Sequence, residues 1–520
     1  MENFIERHRD RVSGVLYGFD RLIFNGQPKI LSFSKGLERF LAARRLRYAE
    51  FKDFFVSVTE QLIAHIEAYC ADRRRPYIYL SSPSASKHET AQAIAERDGV
   101  TEGLVCVLGC LERCNTVQIR RDRHGRPRLT FTTRQCKFLY LYLIDPVFGW
   151  MHIRVQTWIP FAVQIYVNGR TFLARQLERR KVPFRQDGNC FTAIADLDLA
   201  QQQLEHLAKW DWRQQLDGWV NDLLTPVLAL LNGRTYFWTL RQSEHALDVL
   251  FKSSDELARV YPALADHAIR HFRSNDILRF LGHRRVDLFN GEANSHWRER
   301  GEGVRIRHTV RGNSIKMYDK AGSVLRVETT INNPDAIRVM RPRKSTGKME
   351  RQGLRRGICD VYRRHEAAYA ANQRYLIALA VVGFDPPSSE VLDAVSRPVI
   401  RRGRRHRALH PVGPDDARLL SVLSDARFAV QGFRNRDLRN NLFPHRRRER
   451  ESRRDGARIT RQLALLRAHG LIRRIPRSHR YQLTLKGHAV AATALSARQA
   501  PAVPGAPHEI LAGEQHSQHV

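Results

Sequence analysis

The amino-acid sequence predicts an α+β protein of several domains, with mixed and antiparallel sheets packed against helices and a small C-terminal module of helices with a two-stranded hairpin. Three observations predict it. Segments that alternate apolar and polar residues are interleaved with segments whose apolar residues recur every three to four positions. The 520 residues exceed what one core usually serves, at roughly 100–200 residues per domain. A stretch at 381–415 holds Pro386, Pro387, Pro398, Pro411 and Pro414 with the basic run RRGRRHR, which reads as a linker or basic arm.

Residues 1–170 read as an α/β domain. VLYGFDRLIFNG is expected to form a strand pair around Gly18 and Gly26. Leu37, Phe40, Leu41, Phe51, Phe55, Val58, Leu62 and Ile66 follow at helical spacing. YIYLS is a short strand, and SSPSASKHETAQAIAERDG gives a Ser-rich turn, a helix and a Gly stop,. Val117–Arg120 and Leu129–Thr132 flank DRHGRP as a hairpin,. Residues 171–300 read as mainly helical. Residues 301–380 read as an antiparallel meander, VRIRHTV, SIKMYD and SVLRVETTI, followed by a helix. Residues 416–490 form the last module, and 491–520, rich in Pro and Gly-Ala text, read as a disordered tail,.

Composition narrows the function. The chain carries 87 Lys+Arg against 53 Asp+Glu, a formal net charge of +34 and a pI of about 10.7. Such an excess costs self-repulsion and suits a polyanion, nucleic acid above all, because neutralising phosphates releases condensed counterions. No apolar run of about 18 residues is present, so a membrane partner is not expected. The N-terminus lacks the apolar core of a secretory signal, and seven cysteines, an odd number, suit reduced thiols in a cytosol,. The expected location is the cytoplasm, in association with a bacterial nucleoid. No GxxxxGK[ST], GxSxG, HExxH or GxGxxG occurs, so hydrolase, zincin and dinucleotide readings lack support.

In the last module, Asp415–Leu423 begins one helix, GFRNRDLRNNLF a second, and RITRQLALLRAHGLI an amphipathic third that Gly470 stops. IRRIPRSHRYQLT then reads as strand, basic turn, strand. This order defines a winged helix-turn-helix. Such a module sets its third helix in a DNA major groove and its wing on the backbone. The third helix would present Arg458, Thr460, Arg461 and Gln462. The wing would present Arg473, Arg474, Arg477 and Arg480, and Arg434, Arg436 and Arg439 would meet phosphates. Contact with a protein is the alternative use of the same fold.

The meander GNSIKMYDKAGSVLRVETTIN (312–332) poses a chemical question. Alternation puts Lys316, Tyr318 and Lys320 on one face of one strand, and Arg326, Glu328 and Thr330 on one face of the next,. The opposite face is apolar. The polar face is either the wet side of a sheet or a phosphodiester site. In the second case Tyr318 is the nucleophile, Lys316, Lys320 and Arg326 are cations for phosphate, and Glu328 holds Mg²⁺ or Mn²⁺ through oxygen. Asp319 points the other way.

Asp20 lies in an apolar first strand beside Arg21. The placement resembles ribonuclease H-like nucleases, in which carboxylates from separate strands gather metal for phosphoryl transfer. Glu102, Glu112, Asp145 and Glu244 are its candidate partners. A simple Asp20–Arg21 salt bridge is the other reading. Cys106, Cys110 and Cys114 are spaced four apart without a second knuckle, so core cysteines are expected rather than a zinc site. Ser86 and Lys87 in SSPSASK read as an N-cap and solvated turn, or as a phosphate holder. His152, Arg154 and Gln156 share a strand face among aromatics, either as core or as a surface that follows a nucleic-acid backbone.

The run YDKxxxxLRVE at Tyr318–Glu328 resembles a segment of phage and plasmid replication-initiation proteins. The common rolling-circle type also carries two histidines flanking one hydrophobe, and the body of this chain has no such pair. The C-terminal module is similar to bacterial regulator domains of the MarR type. GFDRLIF (18–24), RDGVTEGLVCVL (97–108), DPVFGWMHIRVQTWIPF (145–161), NGRTFLARQL (168–177), the meander and GFRNRDL (432–438) resemble, nearly end to end, a large family of often multicopy bacterial and environmental proteins. The resemblance implies a mobile genetic element. The sequence reading is therefore a protein that binds DNA (or RNA) through a winged helix and nicks or processes strands, in the manner of a replication initiator or transposase-like nuclease. The alternative is a non-catalytic DNA-binding regulator or RNA-binding scaffold.

Overall fold

Alternating and fully apolar segments join into a sheet far larger than the individual motifs. The computed structural model describes the chain apart from residues 1, 82–84, 284–290, 301–302, 344, 381, 383–387, 426–427, 429–431, 445–448, 477 and 500–520. It has two units, 1–382 and 383–520. The expectations for Arg477 and for most of the tail lie outside the described residues.

In the first unit the strands are β1 (Val12–Gln27), β2 (Tyr77–Tyr79), β3 (Gly103–Arg121), β4 (Pro127–Asp145), β5 (Gly149–Gln156), β6 (Val163–Asn168), β7 (Phe184–Asp187), β8 (Cys190–Ile194), β9 (Phe237–Phe251), β10 (Ala293–Arg300), β11 (Gly303–Val310), β12 (Asn313–Lys320), β13 (Val324–Ile331), β14 (Arg338–Pro342) and β15 (Met349–Gly353). The helices are α1 (Glu2–Arg7), α2 (Ser34–Ala43), α3 (Phe51–Asp72), α4 (Lys87–Arg97), α5 (Gly169–Arg179), α6 (Leu197–Ala208), α7 (Trp212–Asn221), α8 (Thr225–Leu230), α9 (Ser254–His271), α10 (Ser274–Phe280) and α11 (Val361–Leu379). Eleven strands form one mixed sheet in the order β10-β11-β12-β13-β9-β1-β6-β5-β4-β3-β2. β2 lies parallel to β3, and the other neighbours are antiparallel.

The three segments expected as separate domains of the body therefore share one sheet. β9, from the segment read as mainly helical, lies between β1 and β13. It is buried on both faces over its second half, so it carries no alternation that would mark it as a strand. VLYGFDRLIFNG is a single strand rather than a pair. Gly18 makes no turn; a Cβ there would lie 2.8 Å from Leu204 Cβ, so the glycine admits the close approach of α6. β6 pairs with β1 only from Arg21 onward. Before that point, Gln201 of α6 accepts from Tyr17 N at 2.9 Å and donates to Tyr17 O at 3.1 Å, so a side chain satisfies the uncovered strand edge,.

The meander β11-β12-β13 forms as expected, with β10 added outside it. Arg311 and Gly312 are both at positive φ in the two-residue β11–β12 loop, as such loops require, and Ala321 and Gly322 are at positive φ in the three-residue β12–β13 loop. α11 covers one face of the sheet. There Asn372 accepts from Thr329 Oγ1 at 2.6 Å and donates to His245 O at 2.8 Å, and His245 meets His365 at 3.1 Å. α5, α6 and the β7–β8 hairpin lie on the other face, where Leu16, Leu250 and Val324 pack with Leu173, Leu177, Phe191 and Leu204. No helix among the described residues is long and apolar enough to cross a membrane.

The second unit contains α12 (Ser388–Asp393), β16 (Val399–Arg401), β17 (Arg404–His406), α13 (Pro414–Leu423), α14 (Asn435–Leu442), α15 (Glu449–Ala468), β18 (Ile472–Arg474), β19 (Tyr481–Leu483) and α16 (Leu485–Gln499). Leu419, Leu420, Phe433, Leu438, Ile459, Leu463, Leu466 and Leu483 share its core. The linker segment contains the β16–β17 hairpin, and Val395 and Leu409 join this core. α16 occupies the start of the segment expected as tail, with Val490, Ala491 and Ala494 buried.

Candidate metal centre and its ion-pair frame

Asp20 on β1, Glu244 on β9 and Glu328 on β13 come from three adjacent strands. One carboxylate oxygen from each lies within 4.8 Å of the others, and all three residues are buried. Register explains the meeting. Glu244 sits opposite Arg21 on one side and Thr330 on the other, and Glu328 sits opposite Ala246. A bulge between Phe19 and Arg21 re-aims Asp20 onto this face.

Cations frame the acids. Arg21 donates to Glu244 Oε2 from Nε at 3.1 Å and Nη2 at 2.6 Å. Lys316 Nζ donates to Glu328 Oε1 at 2.7 Å and lies 3.9 Å from Glu244. Tyr318 Oη donates to Glu328 Oε2 at 2.9 Å. One layer deeper, Arg326 grips Asp248 with Nε at 2.6 Å and Nη2 at 2.9 Å, and its Nη1 lies 3.5 Å from Asp20. Arg170, at the first turn of α5, lies 2.9 Å from Asp248 and 4.0 Å from Asp20. Asn189, between β7 and β8, donates to both Asp20 oxygens at 3.2 and 3.1 Å while its carbonyl accepts from Arg326 at 3.1 Å. α5 reaches this position because Gly169 lies against Phe19 O, 1.9 Å from where a Cβ would be.

The electrostatics differ among the acids. Burial raises the Asp20 carboxyl above its ordinary range; Arg326 and Arg170 offset this only in part, and Glu328 and Asp248 add to the rise. Burial and then Glu328 likewise raise Glu244, against Lys316 and Arg21. Burial also acts on Glu328 and Asp248, but Lys316 and Arg326 outweigh it at Glu328, as do Arg326 and Arg170 at Asp248, and both carboxyls are held low. Tyr318 is raised by burial and by the Glu328 charge, so its phenol stays protonated at neutral pH. Burial is the main cause of both rises, so a cation held between Asp20 and Glu244 would favour their charged forms. Three oxygen donors this close together could hold a metal ion, and hard oxygen ligands disfavour a thiophilic one,.

The structure thus brings Asp20, Lys316, Tyr318 and Glu328 together, with Glu244 the one of the four suggested partners that reaches Asp20. Arg326 differs from its expected role as a phosphate grip: it is wholly buried, and its guanidinium is occupied by Asp248. Lys320, two residues beyond Tyr318 on the same strand, acts electrostatically on Asp248 and Cys190. Glu112 instead binds Arg154 at 2.6 Å, Tyr140 at 2.8 Å and Lys87 at 3.2 Å, which hold its carboxyl at about 2 against the pull of burial. These bonds occupy Lys87 and Arg154 within the protein, and Ser86 is the N-cap of α4. Asp145 caps its own turn and accepts from Trp219 Nε1 at 2.9 Å. Cys106, Cys110 and Cys114 lie buried on a strand.

In the second unit, Arg436, Arg458, Arg461, Arg473 and Arg474 are exposed. Gln462 is half-buried. Arg480 donates to Gly432 O at 3.0 Å, and Arg434 is half-buried at the N-cap of α14. Sequence reasoning missed Asp248, Arg170 and Asn189. Glu244 and Asp248 are four apart, a separation that shares a face in a helix and in a strand alike, so it gave no sign of β9. No family model, no curated protein and no solved structure matches this chain.

Proposed function

We propose that the chain is a metal-dependent strand-nicking or strand-transferring protein of the replication-initiator type, and that it binds DNA through a winged helix in its second unit. One observation carries the catalytic part: three buried carboxylates converge from adjacent strands with the Tyr318 hydroxyl 2.9 Å from one of them. A divalent cation held by Asp20, Glu244 and Glu328 would supply stabilisation of charge developing on phosphodiester oxygens. Tyr318 Oη would form the new bond to phosphorus while the bond from phosphorus to one sugar oxygen of the strand breaks. Glu328 Oε2 takes the phenolic proton, and the departing oxygen gains one from solvent. Lys316 offsets negative charge beside Glu328. Arg326, Arg170 and Asn189 position Asp20.

The winged-helix reading is supported by the order α13, α14, α15, then the β18–β19 pair. It is also supported by Arg458 and Arg461 exposed on α15 and by Arg473 and Arg474 exposed on the hairpin. Arg120, Arg121, Arg123, Arg126 and Arg128, exposed around the β3–β4 turn, support a nucleic-acid partner for the body as well. RNA remains within the same chemistry.

A second reading has its own observation. Asp20, Glu244, Glu328 and Asp248 face Arg21, Lys316, Arg326 and Arg170 in equal number, and Lys316 already stands between two of the acids. In that reading the cluster is a closed ion-pair frame and the protein is a non-catalytic binder. Incubating the protein with labelled single-stranded DNA, duplex DNA and RNA in Mg²⁺, Mn²⁺ or EDTA separates the two. The catalytic reading requires metal-dependent cutting and a protein-linked end that disappears in Tyr318→Phe, with binding retained in Glu328→Gln. Binding without cutting in every metal sinks it in favour of the ion-pair frame.

A further inference from the structure

A cavity of about 700 Å³ opens where β1 ends, α7 begins and α11 begins. It is roughly 25 Å along β1 from Asp20, at about 3.3 Å per residue, and belongs to no part of the carboxylate site. Its walls are aromatic: Trp210, Trp212, Phe237 and Tyr362 are among them. Its mouth is cationic: Lys29, Lys209, Arg213 and Arg234 are all exposed, with Asp211 the only acid in the lining. Lys209 stands 5.6 Å from the Tyr362 ring centre and Lys29 5.6 Å from that of Phe237.

Two features point to a ligand. Phe237 and Tyr362 remain 47% and 41% exposed, an unusual state for rings beside a deep apolar wall. Lys29, Lys209, Arg213 and Arg234 are exposed around the same mouth, a concentration of cations that complements phosphate. Flat exposed rings and flanking cations fit an aromatic base with a phosphate on either side.

We propose that this cavity holds an unstacked nucleotide of a single strand, its base against the aromatic wall and its phosphates at Lys29, Lys209, Arg213 and Arg234. The assignment rests on the reading of the chain as a nucleic-acid binder and not on catalysis. It places a single-strand grip away from the carboxylates.

The test is fluorescence anisotropy of the full chain in EDTA with labelled dT₂₀, with the same backbone made abasic, and with duplex DNA. Tyr362→Ala and Phe237→Ala remove exposed rings and spare the core. Each is expected to weaken dT₂₀ binding about 5- to 150-fold, the value of one base stack, and to leave abasic and duplex binding unchanged. Lys209→Gln is expected to weaken dT₂₀ and the abasic strand alike. Unaltered dT₂₀ binding in both ring variants overturns the proposal, and so does an equal loss on the abasic strand. Saturable quenching by free thymidine monophosphate, sensitive to Tyr362→Ala, without dT₂₀ binding assigns the cavity to free nucleotides and overturns the strand version. Intact, ring-dependent dT₂₀ binding with no cutting leaves this inference standing while the catalytic reading falls; cutting with ring-independent binding does the reverse.

Discussion

Replacing Arg326 by Met tests whether the buried frame, rather than the fold around it, sets the acids. The side chain is wholly buried, bonds Asp248 through two N–H groups at 2.6 and 2.9 Å, reaches Asn189 O at 3.1 Å and lies 3.5 Å from Asp20. Met fills much of the same volume but leaves Asp248 with Arg170 as its remaining ion-pair partner and Lys320 acting from further off. Breaking a buried pair by removing one partner costs about 3–5 kcal/mol. The pH dependence has a definite sign. In the native chain Asp248 is held below its unfolded value, so it stabilises above that value and the contribution is lost as pH falls,. Without Arg326, burial dominates and the Asp248 carboxyl is raised, so the penalty is greatest near neutrality and eases in acid. Urea unfolding followed by tryptophan emission reads this directly, because all seven tryptophans lie within 1–382. Asp248→Asn in the same background should restore part of the loss, with a coupling of about 1.5 kcal/mol or more. A loss under about 1 kcal/mol, independent of pH and additive with Asp248→Asn, refutes the reasoning.

Mn²⁺ should raise the melting temperature of the native chain, by the equivalent of about 2.7 kcal/mol at a hundredfold excess over Kd, and Glu244→Gln should abolish the rise; an unchanged response removes Glu244 from the centre. That Mn²⁺ effect should fade with acid from above the ordinary carboxylate range, since Asp20 and Glu244 hold protons tightly, and titration calorimetry across pH would show it. Gly169→Ala, whose Cβ would lie 1.9 Å from Phe19 O, should cost about 3 kcal/mol or more and lower Mn²⁺ affinity through Arg170; wild-type unfolding would count against it. His308, buried between Ser295 at 2.8 Å and Tyr375 at 3.2 Å, is lowered by burial to about 4. Stability should therefore fall as pH drops from about 6.5 to about 4, and His308→Gln should flatten that fall in acid denaturation. Arg461→Ala should reduce preference among duplex sequences while Arg473→Ala weakens all of them alike; equal losses on chosen and random duplexes would refute that division.

The meander was legible because its strands alternate and its turns carry Gly in the required place, and alternation alone put Lys316 and Tyr318 on one face and Glu328 on one face of the next strand. Asp20 was visible as a charge inside an apolar run. β9 was not, since a central strand polar on both faces looks like neither period: Glu244 and Asp248 face one side and His245 the other. Gly18 resembled a turn because a glycine admitting a helix and a glycine making a bend look alike in one sequence. Asn189 and Arg170 became visible only once the fold brought them to Asp20. In the C-terminal unit, Ile459, Leu463, Leu466 and Gly470 gave the helix and its stop, while β16, β17 and α16 hid in Pro-rich and Ala-rich text.

The position of β9 between β1 and β13 also orders events during synthesis. β1 leaves the ribosome early with one edge awaiting a partner that begins at Phe237, and β13 ends at Ile331. At about 5–20 residues per second, roughly fifteen seconds to a minute separates the first carboxylate from the third. Pairings of such long sequence separation close slowly, and until β9 enters, β1 is an open edge. A nascent or truncated chain that stops short of β13 carries Asp20, Glu244 and Tyr318 but not Glu328. Any strand-breaking chemistry therefore switches on only when the central sheet is finished, which confines it to the folded protein.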